Sequence, residues 1–289
     1  MGRLQKMTLC HDMAISLLRN YCELFYGFRR KQWEADKLEY RPITENRKYL
    51  PGVSEAAPDG SYTITLDRVR HDSLIKQLSN LRESIAEGDV DFWNQKVAEG
   101  LEFIWCERHF YQPLLASTQG LDFQVSPVSL NKGEADFVRD VQSATKSGAF
   151  EGYEVYLLRN QTGQGAVGVF VDGGFYPDFI LWLVKGQSQK VVFVDPKGLR
   201  HHKPDDPKVR FHETIKDIER DLRQQQPENA GIELHAFLIS ETHSSQLVSQ
   251  WRDAAGQPVT RELMESWNIL FREEDDRYIE KLVESVSGV

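Results

Sequence analysis

The 289 residues contain no apolar run long enough to cross a bilayer, and the Met1 end lacks the uninterrupted apolar core of a signal peptide. Cysteine is scarce. Cys10, Cys22 and Cys106 lie far apart with no C-x-x-C among them, which argues against a zinc site or a disulfide scaffold and makes a reducing cytoplasm the expected setting. His109 has no companion at ligand spacing, so it reads as a packed ring rather than a zinc ligand. No G-x-x-x-x-G-K-[ST] occurs, so this chain carries no P-loop and is not itself an ATP-driven motor. Positive charge is short as well: 35 Lys and Arg against 44 Asp and Glu leave a formal net charge of -9, which counts against indiscriminate binding to nucleic acid.

What is there is enough chain to bury a sizeable core, in one large domain or two smaller ones. Leu9, Met13, Leu17, Tyr21, Leu24, Phe25 and Phe28 recur at helical spacing, which predicts a long amphipathic helix from Leu9 to roughly Leu38. Prolines and glycines between Pro42 and Gly60 punctuate a loop, and Ser61 to Leu66 alternates like a short strand. Leu74, Ile75, Leu78, Leu81 and Ile85 predict a second amphipathic helix closed by Gly88, and a third helical segment is expected from Val90 to about His109. Pro113 to Pro127 then marks a boundary. Residues 1–113 are accordingly expected to be a helical linking or docking region, and residues 114–289 a second domain.

In that second part the pattern gives a helix (Gly133 to Lys146), strands (Glu154 to Arg159 and Val167 to Val171), a hairpin, a helix (Glu213 to Arg223) and a strand (Leu234 to Ser240). The expected fold class is α/β, with helices flanking a central mixed sheet. From Trp251 onward the chain reads as helical and peripheral.

The stretch from Val171 to Arg200, VDGGFYPDFILWLVKGQSQKVVFVDPKGLR, carries the chemistry. Phe179 to Val184 and Lys190 to Val194 read as two arms of a hairpin around a polar, glycine-containing turn. With Gly186 and Gln187 as the turn residues, the register sets Asp178 opposite Asp195, their β-carbons about 5 Å apart. Lys197 lies two residues beyond Asp195, so an extended backbone points both side chains to one face. Two carboxylates held that close repel unless a cation lies between them, and oxygen donors suit Mg²⁺, with Mn²⁺ as a substitute. A lysine beside them is placed to orient a water or to stabilise charge growing on a phosphoryl group. These are the parts of a metal-dependent phosphodiesterase.

Pro177-Asp178, followed across the hairpin by Asp195-Pro196-Lys197, resembles the PD-(D/E)XK signature of restriction-endonuclease-like nucleases. The fuller text FYPDFILWL…VVFVDPKGLRH, with SPVSLNKGEADFVRDV and YEVYLLRN upstream, is similar to the C-terminal nuclease domain of type III restriction subunits and related helicase-nucleases. The resemblance covers roughly Phe110 to Ser240. It implies a restriction-endonuclease-like core and a Mg²⁺-dependent endonuclease acting on DNA in antiviral defence. It further implies a helicase or ATPase motor, either as a partner subunit or as a domain outside this chain. Asp178, Asp195 and Glu134 would then hold the metal, with Lys197 assisting attack by water; cutting both strands of a duplex would call for a homodimer.

Other readings of the same residues stay open. Asp195, Pro196 and Gly198 are ordinary turn formers. Glu134 stands three residues after Asn131, a capping arrangement, although it shares a helical face with Phe137, Val138 and Val141. Lys185, Lys190, Lys197, Arg200, Lys203, Lys208 and Arg210 outnumber the local acids and read either as a phosphate-binding surface or as a solvated face. His201, His202, Gln225 and Gln226 are further polar candidates beside substrate, each equally at home in solvent. A non-catalytic module for protein or DNA binding, and a nuclease for RNA or structured DNA, remain the alternative functions.

Overall fold

The computed structural model describes Arg29 and residues 62–87, 92–97, 100–106, 109–110, 114–117, 120–160, 176–225 and 227–288. All of these except Arg29 belong to one compact unit, Ile43–Val169 with Phe175–Val289. The helix expected from Leu9 to Leu38, the strand expected from Val167 to Val171, and Gln226 lie outside the described residues.

In chain order the elements are β1 (Thr63–Thr65), α1 (Asp72–Ala86), β2 (Phe92–Lys96), β3 (Leu101–Cys106), β4 (Leu114–Ser117), β5 (Gln124–Ser126), α2 (Lys132–Ser147), β6 (Glu154–Arg159), β7 (Phe179–Lys185) and β8 (Ser188–Lys197). There follow α3 (Phe211–Gln225), β9 (Ile232–Ser240), α4 (Ser244–Gln250), α5 (Arg261–Ser266), β10 (Ile269–Phe271) and α6 (Tyr278–Ser287). The expected α/β class is present: a mixed five-stranded sheet in the order β10-β9-β8-β7-β6, with helices against it. β6, β7 and β8 pair antiparallel, while β8, β9 and β10 run parallel. A parallel step needs a crossover, and α3 supplies the one between β8 and β9.

The central strands are apolar on both faces because both faces are covered. Phe179, Ile180, Leu181 and Leu183 of β7 are fully buried, as are Val192 and Val194 of β8. α2 lays Ala135, Phe137, Val138, Val141 and Ala144 against this sheet, and α6 adds Ile279, Leu282, Val283 and Val286 to the same core. The Phe137 and Phe179 rings meet at 5.1 Å, tilted by 45°. Truncating either to alanine would cost about 3–5 kcal/mol by the usual scale for a buried aromatic ring.

Two expectations are corrected. The segment read as helical from Val90 to His109 forms β2 and β3, which pair antiparallel with each other, and β3 pairs with β4. Gly100, at φ 77, turns the chain between the first two strands, a left-handed conformation that favours glycine. The β3–β4 pairing crosses from residue 106 to residue 114, and β1 pairs with β5, so strands on both sides of the expected division at 113–114 belong to common sheets. The second correction concerns the tail. It is neither wholly helical nor peripheral, since β10 extends the central sheet and Trp251, Val259, Met264, Ile269 and Phe271 form a buried cluster with Leu199, Val209, Leu238 and Leu247.

Candidate active site

The β7–β8 hairpin closes on Gly186-Gln187, with Gly186 at φ 61, and its last rung at the turn is Lys185 opposite Ser188. The printed ladder runs to Phe179 opposite Val194 at the other end, so the next residues in register are Asp178 and Asp195. Their carboxyls share a hydrogen bond, and such a contact requires a proton between them. Burial pushes Asp178 up to about 8, and the hydrogen bond and negative charge of Asp195 push the same way; Lys197 and Arg159 oppose them. Asp195 itself is only 4% exposed. Lys197 Nζ stands 3.8 Å from Asp195 Oδ2, as expected for residues two apart on one strand.

Glu134 enters from the first turn of α2, and both readings of it hold. Its backbone N–H donates to Asn131 Oδ1 at 3.0 Å, while its carboxylate accepts from the Asn131 backbone N–H at 3.2 Å and from Asn131 Nδ2 at 2.8 Å. That is a capping box. The side chain is also largely buried, at 15% exposure. Burial raises its pKa, with a further upward push from Asp178; Arg159 and the Asn131 amide pull it down. Glu134 therefore lies within electrostatic reach of the aspartate pair while its oxygens are engaged elsewhere.

Sequence reading missed three residues that shape this site. Arg159, the last residue of β6, reaches Glu134, with Nη2 3.4 Å from Oε2. Asn160, buried, fixes the start of β7: its backbone N–H donates to the Asp178 carbonyl at 2.8 Å and its Nδ2 to the Pro177 carbonyl at 2.8 Å. Lys208 is the third. It sits beside Lys197, with burial and the neighbouring ammonium lowering its pKa, and with Asp195 and Asp206 pulling it back up. The loop after β8 holds it there through three contacts. Asp206 accepts from the Lys208 backbone N–H at 2.9 Å and lies 2.8 Å from His202 Nδ1, and Trp251 Nε1 donates to the His202 carbonyl.

Other candidates fall elsewhere. Lys185 and Lys190 belong to the turn end of the hairpin, roughly 20 Å or more along β8 from Lys197. There Lys190 pairs with Glu233 at 2.9 Å, and Lys185 lies 5.6 Å from the Tyr153 ring centre. Gln225 ends α3, whose first residues follow the loop beside the site, so it too lies toward the turn end. The basic residues between 185 and 210 therefore do not form one surface. His202 is tied to Asp206 and His201 is exposed. His109 is packed as expected, its Nδ1 2.6 Å from the Val155 carbonyl.

The donors around Asp178 are oxygens, and a carboxyl pair that must share a proton when alone is chemically suited to a hard cation. Among the described residues, no three His, Cys, Asp or Glu side chains are grouped to hold a metal ion. The aspartate pair is thus assembled, and Glu134 stands apart from it as a third donor. Among the described residues no helix is long and apolar enough to cross a membrane. The chain matches no protein-family model, no curated protein and no solved structure.

Proposed function

We propose that this chain is a Mg²⁺-dependent endonuclease of the PD-(D/E)XK, restriction-endonuclease-like kind, hydrolysing DNA phosphodiester bonds. The observation that carries the reading is the shared hydrogen bond of Asp178 and Asp195 at the open end of the hairpin, with Lys197 3.8 Å from Asp195. Carboxyls buried together raise one another's pKa, an arrangement that costs stability and is concentrated at functional sites. Asp178 and Asp195 would hold the ion, with Glu134 as the further donor. When bound, Mg²⁺ neutralises charge on the phosphodiester and lowers the pKa of a coordinated water.

The protein's own groups do the rest. Asn160 fixes the backbone on which Asp178 stands. The Lys197 ammonium orients the attacking water or stabilises charge on the phosphoryl oxygens, and Lys208 adds a second positive charge beside it. Type III restriction or a related helicase-nuclease defence system is the setting the sequence resemblance favours, with the motor supplied from outside this chain.

A second reading, a nuclease fold kept only for protein or DNA binding, is favoured by the engagement of both Glu134 oxygens with Asn131 and Arg159. Incubation with plasmid DNA decides between them. Nicking or linearisation with Mg²⁺ and none with EDTA is expected; intact plasmid with Mg²⁺ and with Mn²⁺ would favour the binding module. Parallel incubations with single-stranded DNA and RNA identify the substrate class.

A further inference from the structure

Arg159 is held by more than its acid partner. Nη1 donates to the Val128 carbonyl at 2.5 Å and to the Tyr62 hydroxyl at 3.3 Å, while Nη2 faces Glu134. The side chain is 14% exposed. Two neutral oxygens therefore fix the guanidinium so that its remaining edge points at the carboxylate. Its strand position adds a second constraint. Arg159 pairs with Phe179, the residue after Asp178, and Asn160 hydrogen-bonds to the Asp178 carbonyl. The positive charge is felt by Glu134 and by Asp178 alike, lowering the pKa of each. A rigid, partly desolvated cation between two acids from different elements is more than a surface ion pair, which contributes little.

We infer that Arg159 is a positioning residue of the acid site, a built-in counter-charge that holds Glu134 and Asp178 near each other when no divalent cation is present. This rests on the reading of Asp178, Asp195 and Glu134 as a metal site. A divalent ion brings its own positive charge to the same acids, so the guanidinium and the ion are electrostatic rivals. Arg159 thereby stabilises the metal-free protein and weakens its hold on the ion.

The test is thermal melting at pH 9 of the native chain, Arg159→Gln, Arg159→Lys, Asp178→Asn and the double variant Arg159→Gln/Asp178→Asn, each in EDTA and in Mg²⁺. In EDTA, Arg159→Gln should melt about 5 °C below the native chain, the scale of a lost partly buried charge pair in a protein of this size. Arg159→Lys should recover part of that loss. On the Asp178→Asn background the same change should cost at most about half as much, because the acid it neutralises is gone. Mg²⁺ should raise the Tm of Arg159→Gln by more than it raises the native Tm, as tighter binding to the folded state requires. A merely structural peg for Tyr62 and Val128 gives equal losses on both backgrounds, and that result overturns the inference. Should Arg159→Gln not fold, folding of the double variant supports the inference and its failure overturns it. Coupling in EDTA together with no Mg²⁺ response in any variant would leave the counter-charge standing and refute the metal site instead.

Discussion

The two ends of the β7–β8 hairpin handle charge in opposite ways. At the turn end every buried ionic group has a conventional partner. Lys190 pairs with Glu233, and Glu219 on α3 accepts from the Leu234 backbone N–H at 2.7 Å while meeting Lys216 and Arg223 at 2.9 and 3.0 Å. Burial would raise Glu219 and Glu233, but these partners win and hold both below the usual carboxylate range. At the open end the balance reverses: Asp178 faces another acid, Lys208 faces another ammonium, and each is pushed toward its neutral form. The same sheet can satisfy buried charge, so the frustration at one end is local. It is the pattern expected where a protein keeps a site for an absent cation or anion at a cost in stability.

This contrast can be broken by substitution. The largest effect expected is on cleavage: Lys197→Ala should slow it by about 100-fold or more, the scale for removing a preorganised charge from a transition state. The Mg²⁺-induced rise in Tm should survive that change, since the ammonium is assigned to the reaction and not to the ion. Near-normal cutting by the purified variant would remove Lys197 from the chemistry. At the other end, Glu219→Ala should cost about 2 kcal/mol in urea unfolding, because the Leu234 amide loses its acceptor inside the protein. An unchanged midpoint would mean that the turn end is not the well-satisfied region described.

A subtler contrast lies in the pH dependence of stability. Asp178 has its folded pKa raised from the ordinary 3.8 to about 8, so between those values the folded state holds a proton that the unfolded state has lost. Stability from this group is therefore present in acid and declines as pH rises from about 4 to about 8. Glu219 and Glu233, with lowered pKa, do the reverse: their contribution is present above the ordinary 4.5 and is lost as pH falls through their folded values. Urea unfolding in EDTA across pH 4–9 should show the native chain losing stability relative to Asp178→Asn toward pH 8, with the gap level beyond it. A difference independent of pH would contradict the strained aspartate pair.

The hairpin was legible because its information is local. A two-residue turn at Gly186-Gln187 dictates the register of everything up to Asp178 and Asp195, and the i,i+2 relation of Asp195 to Lys197 needs only an extended backbone. Strand β6 and helix α2 were equally readable, the latter from Asn131 and Glu134 at one end and Gly148, at φ 86, at the other. The β2–β3 pair was not. Leu101, Glu102, Phe103, Ile104 and Cys106 are all buried, so β3 shows no alternation, and a short unbroken apolar run does not separate a strand from a helix. β10 is three residues long and exists because β9 offers it an edge. Arg159 drew no attention for a related reason: its partners Tyr62, Val128 and Glu134 lie 97, 31 and 25 residues away, and nothing beside it in the sequence marks the meeting.

The central claim, that the open end of the hairpin is a divalent-cation site, is tested most directly by thermal melts of the native chain, Asp178→Asn and Asp195→Asn in EDTA and in Mg²⁺. In EDTA each asparagine variant should be at least as stable as the native chain, since one of two crowded charges is gone at nearly constant volume. Mg²⁺ should raise the native Tm through preferential binding to the folded state and should do little for either variant. A native Tm indifferent to Mg²⁺, together with lower stability of both variants in EDTA, would show that these aspartates merely hold the end of the hairpin in place.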